Sequence, residues 1–374
     1  MARRLPSAPP ILAGLDYVRP LGSGGFADVF LYQQDMPRRQ VAVKVLPAQE
    51  QSPDLIRMFN AEADVLAQLS AHPAIVTVYQ AGISADGRPH IVMEYCPDSF
   101  AQRYRWERID VDEVMTTAVR LAGALESAHR AGLIHRDVKP SNILVTTFGS
   151  SVLADFGISA SLSRRSTDDL LAMSVPWSAP EVVGEHTSGT VASEVWSLGA
   201  TIYSLLAGRS PFERREKGQN SREQLRRRIT RATFVPVPRD DVPDDLQQVL
   251  ATAMAREPER RFATAQEFGA AMQEVQRSRG VSPTPLDVPA AEWMPEPLEL
   301  GDATARGPAR SRVVVEGRRT PPPLVATYAV REEDSEISGT PTRRAVWPWL
   351  VAVGVVAVVG VGVGVAVALA MGAG

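Results

Sequence analysis

The spacing of apolar residues divides the first 276 positions into two parts. Up to about residue 97, short runs rich in β-branched and aromatic side chains are typical of strands. Beyond about residue 110, apolar residues recur at the spacing of helix faces. The strand-forming runs are residues 29–32, 41–46 and 90–95. Strands followed by helices predict an α+β fold for residues 15–276, after an N-terminal tail at residues 1–14.

One helix is expected within the strand-rich part, at residues 55–69. Its apolar residues lie on one stripe, and Glu62 falls in the middle of that stripe. A carboxylate in an apolar face is costly unless a cation pairs with it. The pattern therefore predicts a cation from another element beside Glu62, and the alternative is a partly exposed Glu62 that reaches solvent.

The composition changes after residue 276. Residues 277–346 contain ten prolines in 70 positions with scattered charges, which predicts a disordered linker. From Pro348 to Met371 no charged residue occurs in 24 positions. As a helix this stretch would be about 36 Å long, enough for a hydrocarbon core of about 30 Å. We predict one transmembrane helix at residues 347–371, and the alternative is a buried core helix.

The residues around this span predict its orientation. Arg343 and Arg344 precede it, and Trp347 and Trp349 are placed as interfacial anchors. Since cytoplasmic flanks are rich in arginine and lysine, everything upstream is expected in the cytoplasm. Residues 372–374 would form an extracytoplasmic tail, so the chain is predicted to be a single-pass protein of the cell membrane.

Short motifs in these C-terminal segments suggest partner contacts. Gly360 and Gly364 have the small-xxx-small spacing that lets two spans pack closely, which would make a homodimer. In a segment so rich in glycine, chance explains the same spacing. Thr284, Thr320 and Thr340 each precede proline and are candidate phosphorylated docking sites.

Charge and cysteine content narrow the function classes. The formal net charge of −3 gives no field that would gather nucleic acid, which is not expected as a partner. Cys96 is the single cysteine and cannot form an internal disulfide. No cluster of Cys and His has zinc-ligand spacing, so a reducing compartment without a structural metal is expected.

The first candidate for chemistry is the glycine-rich stretch LGSGGFADV at residues 21–29. Its glycines allow the backbone to approach phosphate closely. The spacing of Gly22, Gly24 and Ala27 also fits a dinucleotide-binding fingerprint, but that motif opens a helix and strand-like residues follow here. No Gly-Lys-Ser/Thr follows, which excludes a Walker-type loop. The sequence favours a phosphate cradle between two strands.

A second candidate is Lys44, at the centre of the apolar strand VAVKVL. It supplies the cation that the stripe around Glu62 requires. A lysine held by a carboxylate can present its remaining N–H donors to nucleotide phosphates.

Three further motifs follow in order: HRDVKPSN at 135–142, DFG at 155–157 and APE at 179–181. Together with the glycine-rich stretch, Lys44 and Glu62, they give the chain its resemblance to the eukaryotic-type serine/threonine protein kinases over residues 15–276. The resemblance implies a bilobal fold, and the N-lobe would end near residue 97 and the C-lobe begin at residue 98.

The resemblance also implies the roles of individual residues. Asp137 would be the catalytic base, and Lys139 would neutralise the transferring phosphoryl group, in the arrangement of serine/threonine rather than tyrosine kinases. Asn142 and Asp155 would hold Mg²⁺, with Mn²⁺ as an alternative, beside ATP. Met93 would be the gatekeeper. The implied ATP-binding residues are Leu21, Gly22, Ser23, Gly24, Gly25, Val29, Ala42, Lys44, Glu62, Glu94 and Cys96.

Regulation by phosphorylation is implied in the same way. Arg136 beside Asp137 resembles kinases in which a phosphate on the activation loop pairs with this arginine. Ser166 and Thr167 are the first candidates for that phosphate, whereas Ser174 occupies a structural position.

Other positions concern the fold or depart from the family's pattern. Arg261 resembles the buried partner of Glu181. Ala27 replaces the third glycine, where a small residue is tolerable. Glu194 stands where aspartate is usual. Its extra methylene is expected to shift the support beneath residues 135–142, called the catalytic segment below. The loop before Ser174 lacks the usual Gly-Thr-Pro. These departures bear on turnover and substrate choice, not on the fold.

The expected function is a serine/threonine protein kinase that transfers the γ-phosphate of ATP to proteins, autophosphorylates on its activation loop and acts in bacterial signal transduction. The alternative is a membrane-tethered pseudokinase that serves as a scaffold. The order of kinase, linker and span resembles bacterial membrane-anchored receptor-like kinases. Since no sensor follows the span, the signal is expected from the cytoplasm, from a membrane partner or from clustering.

Overall fold

The computed structural model of the chain describes residues 5–23, 27–46, 53–156, 175–216 and 218–290. These residues belong to one compact unit, Met1–Ser311. In this part of the chain no helix combines the length and the apolar character needed to cross a membrane. Outside the description lie the predictions for Gly24, Gly25, the side chain of Glu62, Ser166, Thr167, Ser174, Thr320, Thr340, Gly360, Gly364 and the segments 347–371 and 372–374.

The N-lobe is built on an antiparallel sheet of five strands in the order β1-β2-β3-β5-β4. The strands are β1 (Leu15–Ser23), β2 (Asp28–Gln34), β3 (Arg39–Val45), β4 (Val78–Ile83) and β5 (Pro89–Glu94). All three strands predicted from β-branched runs are present. The β1–β2 connection carries the glycine-rich stretch, so that stretch lies between strands as its sequence context indicated.

Strand β3 alternates between two hydrophobic clusters, as a strand with both faces covered requires. Val41, Val43 and Val45 belong to a cluster on the outer face of the sheet. Ala42 belongs to the main core, which continues into the helical lobe. Because Lys44 follows the same alternation as Ala42, its side chain leaves the strand on the face toward the helical lobe.

Helix α1 (Pro53–Leu69) packs beside this sheet. Its first residue is proline, which has no N–H to lose at a helix start and a suitable φ. Phe59, Val65 and Leu66 of its apolar stripe are buried in the main core. The predicted helix at residues 55–69 is therefore present, and Glu62 lies on it.

The C-lobe is helical with a small sheet at its top. Helix α3 (Val111–Arg130) is buried along most of its length, and residues 114–128 are apolar or small apart from Arg120 and Glu126. The helices are α2 (Phe100–Trp106), α3 (Val111–Arg130), α4 (Pro180–Val183), α5 (Val191–Ala207), α6 (Arg222–Arg231), α7 (Asp244–Ala253) and α8 (Ala265–Ser278). The small sheet has strands β6 (Asp98–Ser99), β7 (Ile143–Val145) and β8 (Ser151–Leu153) in this order.

Local sequence signals set the ends of the longest helices. The Asp110 carboxylate accepts the Asp112 N–H and so caps the start of α3. Thr190 and Ser193 form a reciprocal capping box at the start of α5. Gly208 ends α5 at φ 73°, a conformation that glycine adopts at low cost.

The segment after residue 276 departs from the disordered linker predicted at residues 277–346. Helix α8 continues to Ser278, and the described residues run on to 290. Leu286 packs against the main core. The start of the predicted linker therefore belongs to the folded unit, because its apolar and polar side chains find a matching groove that proline content does not reveal.

The predicted N-terminal tail is described from residue 5 onward, and part of it packs against the sheet. Leu12 is buried with the outer face of the sheet. The Tyr32 hydroxyl donates a hydrogen bond to the Pro10 carbonyl at 2.6 Å. The tail is thus attached to β2.

Candidate active site

Lys44 and Asp155 meet in the cleft between the lobes. The Lys44 Nζ lies 3.0 Å from the Asp155 Oδ1, although 111 positions separate them in the chain. The Asp155 side chain is 53% exposed and therefore open to a ligand. Its backbone has φ 57°, a left-handed conformation that is unusual for a residue other than glycine. The Lys44 ammonium, more than any other neighbour, holds the pKa of the Asp155 carboxyl below its usual value.

A second polar group is formed within residues 135–142. The Lys139 Nζ lies 2.7 Å from the Asp137 Oδ2. The Asn142 amide donates to the Asp137 carbonyl at 2.8 Å and to its Oδ2 at 3.0 Å. The Asp137 carboxylate is thereby held in one orientation and remains 27% exposed. The nitrogen of Asn142 is thus used inward. Its amide oxygen accepts from the Ser141 hydroxyl at 3.3 Å and keeps a second lone pair for a cation.

His135 fixes this segment to the strand end that precedes Asp155. Its Nδ1 accepts the Asp137 N–H at 3.2 Å, so its Nε2 carries the proton and donates to the Ala154 carbonyl at 3.2 Å. The ring is fully buried and lies 4.5 Å from the Phe156 ring, centroid to centroid. Burial lowers the pKa of His135, which favours this neutral tautomer.

Glu194 of α5 supports the same segment from below. Its Oε1 accepts the Arg136 N–H at 2.5 Å, and its Oε2 lies 2.7 Å from the His129 Nε2. Arg136 has φ 68°, so the backbone that Glu194 holds is itself in a strained conformation. The longer side chain at this position thus reaches both α3 and the catalytic segment.

The face of the N-lobe sheet that carries Lys44 also carries apolar residues. In the strand pairing Val29 lies opposite Lys44, and Ala42 lies opposite Met93. Directly opposed residues share a face of an antiparallel sheet. Three positions implied for ATP binding and the implied gatekeeper therefore line one surface.

The backbone at the start of the glycine-rich turn is open. A Cβ added at Gly22 would meet no atom of the described residues within 4 Å, so these residues leave room for a ligand group beside the main chain. The Ser23 hydroxyl instead donates to the Asp28 Oδ1 at 2.7 Å. Ser23 would consequently contact a nucleotide through its backbone rather than its side chain.

The implied hinge follows β5. The Glu94 N–H donates to the Thr77 carbonyl at 2.8 Å. Cys96 is half-buried and packs against the main core, together with the similarly half-buried Leu21. Burial raises the pKa of the Cys96 thiol to about 12, so this cysteine is a packing residue and not a nucleophile.

Glu181 and Arg261 form the ion pair implied by the resemblance. The Arg261 guanidinium donates to both carboxylate oxygens of Glu181, at 2.6 and 2.9 Å. It also donates to the carbonyls of Ala192, Ala255 and Arg256. Arg261 is 6% exposed, and its buried guanidinium group joins α4 to the loop before α8.

These groups fit a nucleotide with a divalent cation. The apolar face beside Lys44 suits a base, and the open backbone at Gly22 suits phosphates. The Asp155 carboxylate and the Asn142 amide oxygen are the hard oxygen donors that Mg²⁺ or Mn²⁺ prefers. The described residues contain no group of three or more His, Cys, Asp or Glu that could hold a metal ion. A pair of protein oxygens completed by phosphate and water is nevertheless usual for Mg²⁺ beside a nucleotide.

Sequence reasoning missed several residues that support the site. His129 and Thr201 were not singled out, yet His129 binds Glu194 and the Thr201 hydroxyl donates to the Val138 carbonyl at 3.2 Å. The available signal was weak. Both are polar residues within largely buried helices, and such residues require a partner.

Comparison with known proteins gives a consistent result. The protein kinase domain family matches residues 15–273. Serine/threonine-protein kinase PknK of Mycobacterium tuberculosis is 41% identical over 302 residues, which cover 79% of this chain and 26% of PknK. PknJ of the same organism is 33% identical over 335 residues, covering 82% of this chain and 55% of PknJ. PknL, also of Mycobacterium tuberculosis, is 34% identical over 262 residues, which cover 68% of this chain and 64% of PknL. The chain thus spans about a quarter of PknK's length.

Proposed function

Because the chain belongs to the protein kinase domain family, we propose that it is a serine/threonine kinase that phosphorylates proteins in bacterial signal transduction. The observation that carries the proposal is the meeting of Lys44 and Asp155 at 3.0 Å across the cleft, above the cluster of Asp137, Lys139 and Asn142. The family and the serine/threonine kinases similar to this chain support it.

Each residue would contribute by position and charge. Bound ATP would supply the phosphoryl group, and a divalent cation would supply positive charge beside the phosphates. Lys44, which pairs with the Asp155 carboxylate, would orient the phosphates. Asp137 orients the acceptor hydroxyl and takes its proton. Lys139 offsets negative charge at the transferring group. Asn142 and Asp155 would hold the cation.

A labelling experiment tests this proposal. The full chain incubated with γ-labelled ATP and Mg²⁺ is expected to label itself and an added acceptor protein such as casein. In Asp155→Asn the label should fall by a factor of about 100 or more, because the cation loses its only carboxylate in this pair of donors. Asp240→Asn is the matched control, since Asp240 is an exposed carboxylate of the helical lobe.

The outcome separates the two candidate functions. Labelling by the parent chain and by Asp240→Asn, but not by Asp155→Asn, supports the kinase. A parent chain that binds ATP without any transfer would instead favour the pseudokinase scaffold.

Activation by phosphorylation is part of the proposal. The Nε of Arg136 is buried, and among the described residues it has no hydrogen-bond partner. A guanidinium with spare donors suits a phosphate on the activation loop, for which Ser166 and Thr167 are the candidates. Mass spectrometry of the self-labelled chain should find phosphate on one of these two residues.

Membrane attachment is a separate proposal that rests on the sequence. We place residues 347–371 in the cell membrane with the kinase domain in the cytoplasm, because 24 uncharged positions follow Arg343 and Arg344. Pairing of two spans through Gly360 and Gly364 would give a homodimer. The full chain should remain with membranes after alkaline carbonate extraction, whereas a chain that ends at residue 346 should be released.

A further inference from the structure

Residues 281–289, called the strap below, lie in a groove between α3 and α8. Thr284 is held by two side chains of α8. Its N–H donates to the Gln276 Oε1 at 2.8 Å, and its Oγ1 accepts from the Gln276 Nε2 at 2.8 Å. Its carbonyl accepts from the Gln273 Nε2 at 2.7 Å. Gln276 has no exposed surface, so the strap satisfies a buried amide that would otherwise lack partners.

Two glycines make room for the strap. A Cβ added at Gly123 of α3 would lie 2.5 Å from the Asp287 carbonyl oxygen. A Cβ added at Gly269 of α8 would lie 2.8 Å from the Leu286 Cδ1. Glycine is less favourable than alanine inside a helix, and neither position has a positive φ that calls for it. The close approach of the strap is the physical reason for glycine at both positions.

The far end of the strap reaches the N-lobe. His72 lies in the turn between α1 and β4, and its Nδ1 accepts the Ala74 N–H at 3.0 Å. Its Nε2 therefore carries the proton and donates to the Asp287 carbonyl at 2.8 Å. The Pro289 carbonyl accepts from Arg130 of α3 at 3.1 Å. The strap thus bridges the helical lobe and the turn that follows α1.

We propose that the strap is a positioning element of the kinase. By holding His72, it adds to the contacts that fix the end of α1, the helix that carries Glu62, against the helical lobe. In the same turn, Arg120 of α3 donates to the Pro73 carbonyl at 2.8 Å, and Leu153 of β8 pairs with Ala74 and Val76. The functional domain then extends through Pro289, beyond residue 273 where the match to the family ends. The strap's hydrogen bonds go to α3, α8 and His72 and not to the residues assigned to nucleotide or acceptor binding, so it would affect turnover through α1. This proposal rests on the proposed kinase function for its activity readout only.

Gly123→Ala in the full chain tests the proposal directly. The new methyl group should displace the strap, so that the Thr284 amide loses its protection from hydrogen exchange. Because the turn after α1 then loses its contact with the strap, kcat for casein should fall about fivefold, with the KM for ATP little changed. Gly199→Ala is the matched control, since its methyl group would meet the Ala253 Cβ at 2.8 Å and no strap atom. It should leave the strap amides protected.

A double-mutant cycle separates positioning from ordinary packing. In a second chain, residues 281–290 are replaced by a glycine-serine sequence of equal length, which leaves every helix unchanged. This chain should show the same fall in kcat, and adding Gly123→Ala to it should have no further effect. If Gly123→Ala alone fails to fold, the second chain by itself still tests whether removal of the strap lowers kcat.

The proposal is overturned if the strap is released while kcat stays within about twofold of the parent. It is equally overturned if Gly123→Ala lowers kcat as much in the chain without the strap, or if the strap amides stay protected in Gly123→Ala. A parent chain that never transfers phosphate would refute the kinase function instead, and the exchange data would still report whether the strap is seated.

Discussion

The length of the Glu194 side chain allows one carboxylate to contact two parts of the site. Its carboxylate is 2% exposed and connects the Arg136 N–H to His129 of α3. Burial by itself would raise the pKa of Glu194, but the hydrogen bonds from His129 and from the Arg136 N–H outweigh burial and leave the pKa below its usual value. An ionised carboxylate therefore joins α3 to the catalytic segment.

Glu194→Asp, which restores the residue usual in the family, is expected to weaken this protein. A side chain shorter by one methylene cannot reach both partners, so the free energy of unfolding should fall by about 1–3 kcal/mol. The rate of casein phosphorylation should fall about tenfold, because the catalytic segment shifts. Urea unfolding and steady-state kinetics measure the two effects. Glu223→Asp, on the exposed face of α6, should change neither, and equal behaviour of the two variants would contradict the role of Glu194.

At the scale of elements, the N-terminal tail closes the base of the glycine-rich turn. Asp28 at the start of β2 is fully buried. Its carboxylate accepts from the Ser7 N–H at 2.9 Å, from the Ser7 hydroxyl at 2.6 Å and from the Ser23 hydroxyl at 2.7 Å. Arg88 donates to the same Ser7 hydroxyl at 3.1 Å. The tail, the end of β1 and the start of β2 are therefore tied at one carboxylate.

Ser7→Ala is expected to loosen the turn. Loss of the hydroxyl removes one hydrogen bond to Asp28 and the acceptor of Arg88, so the KM for ATP should rise about three- to tenfold while kcat changes less. Steady-state kinetics at varied ATP concentrations provide the measurement. Ser188→Ala, at an exposed serine of the helical lobe, is the control. An unchanged KM in Ser7→Ala would show that the tail does not order the turn.

At the scale of the whole molecule, buried histidines link folding to pH. His90 and His135 are buried and His72 is half-buried, and burial is the main cause that lowers the pKa of each below 6.5. Each ring therefore binds a proton more readily in the unfolded chain than in the folded one. Their contribution to stability is complete above about pH 6.5 and is lost as the pH falls through the folded-state values.

The free energy of unfolding should accordingly decrease between about pH 7.5 and about pH 5.5. The lowered pKa values of Asp155 and Glu194 do not act in this window, since both carboxyls titrate below their ordinary pKa values of 3.8 and 4.5. Urea unfolding at several pH values measures the slope. His90→Leu should reduce the slope, and His186→Gln, at an exposed ring, should not. A flat profile in the parent chain would contradict the argument.

The local pattern of apolar and polar residues was sufficient to predict the helices and strands and to identify the residues of the site. The alternation in β3 decided that Lys44 shares a face with Ala42, and the apolar stripe at 55–69 predicted helix α1. Asp137, Lys139 and Asn142 lie within a few positions of one another, so their contacts follow from one short segment. These features depend on backbone period and short-range geometry, which a sequence encodes directly.

Only the tertiary structure decided which distant groups meet. The distance of 3.0 Å between Lys44 and Asp155 depends on how two lobes close, and the reach of Glu194 depends on how α5 packs below α3. The strap is the clearest case. Its prolines predicted disorder, because composition reports how much a segment can bury on average. Whether it is ordered depends on a groove with glycines at 123 and 269 and a buried amide at Gln276, and these shapes exist only after the helices have packed.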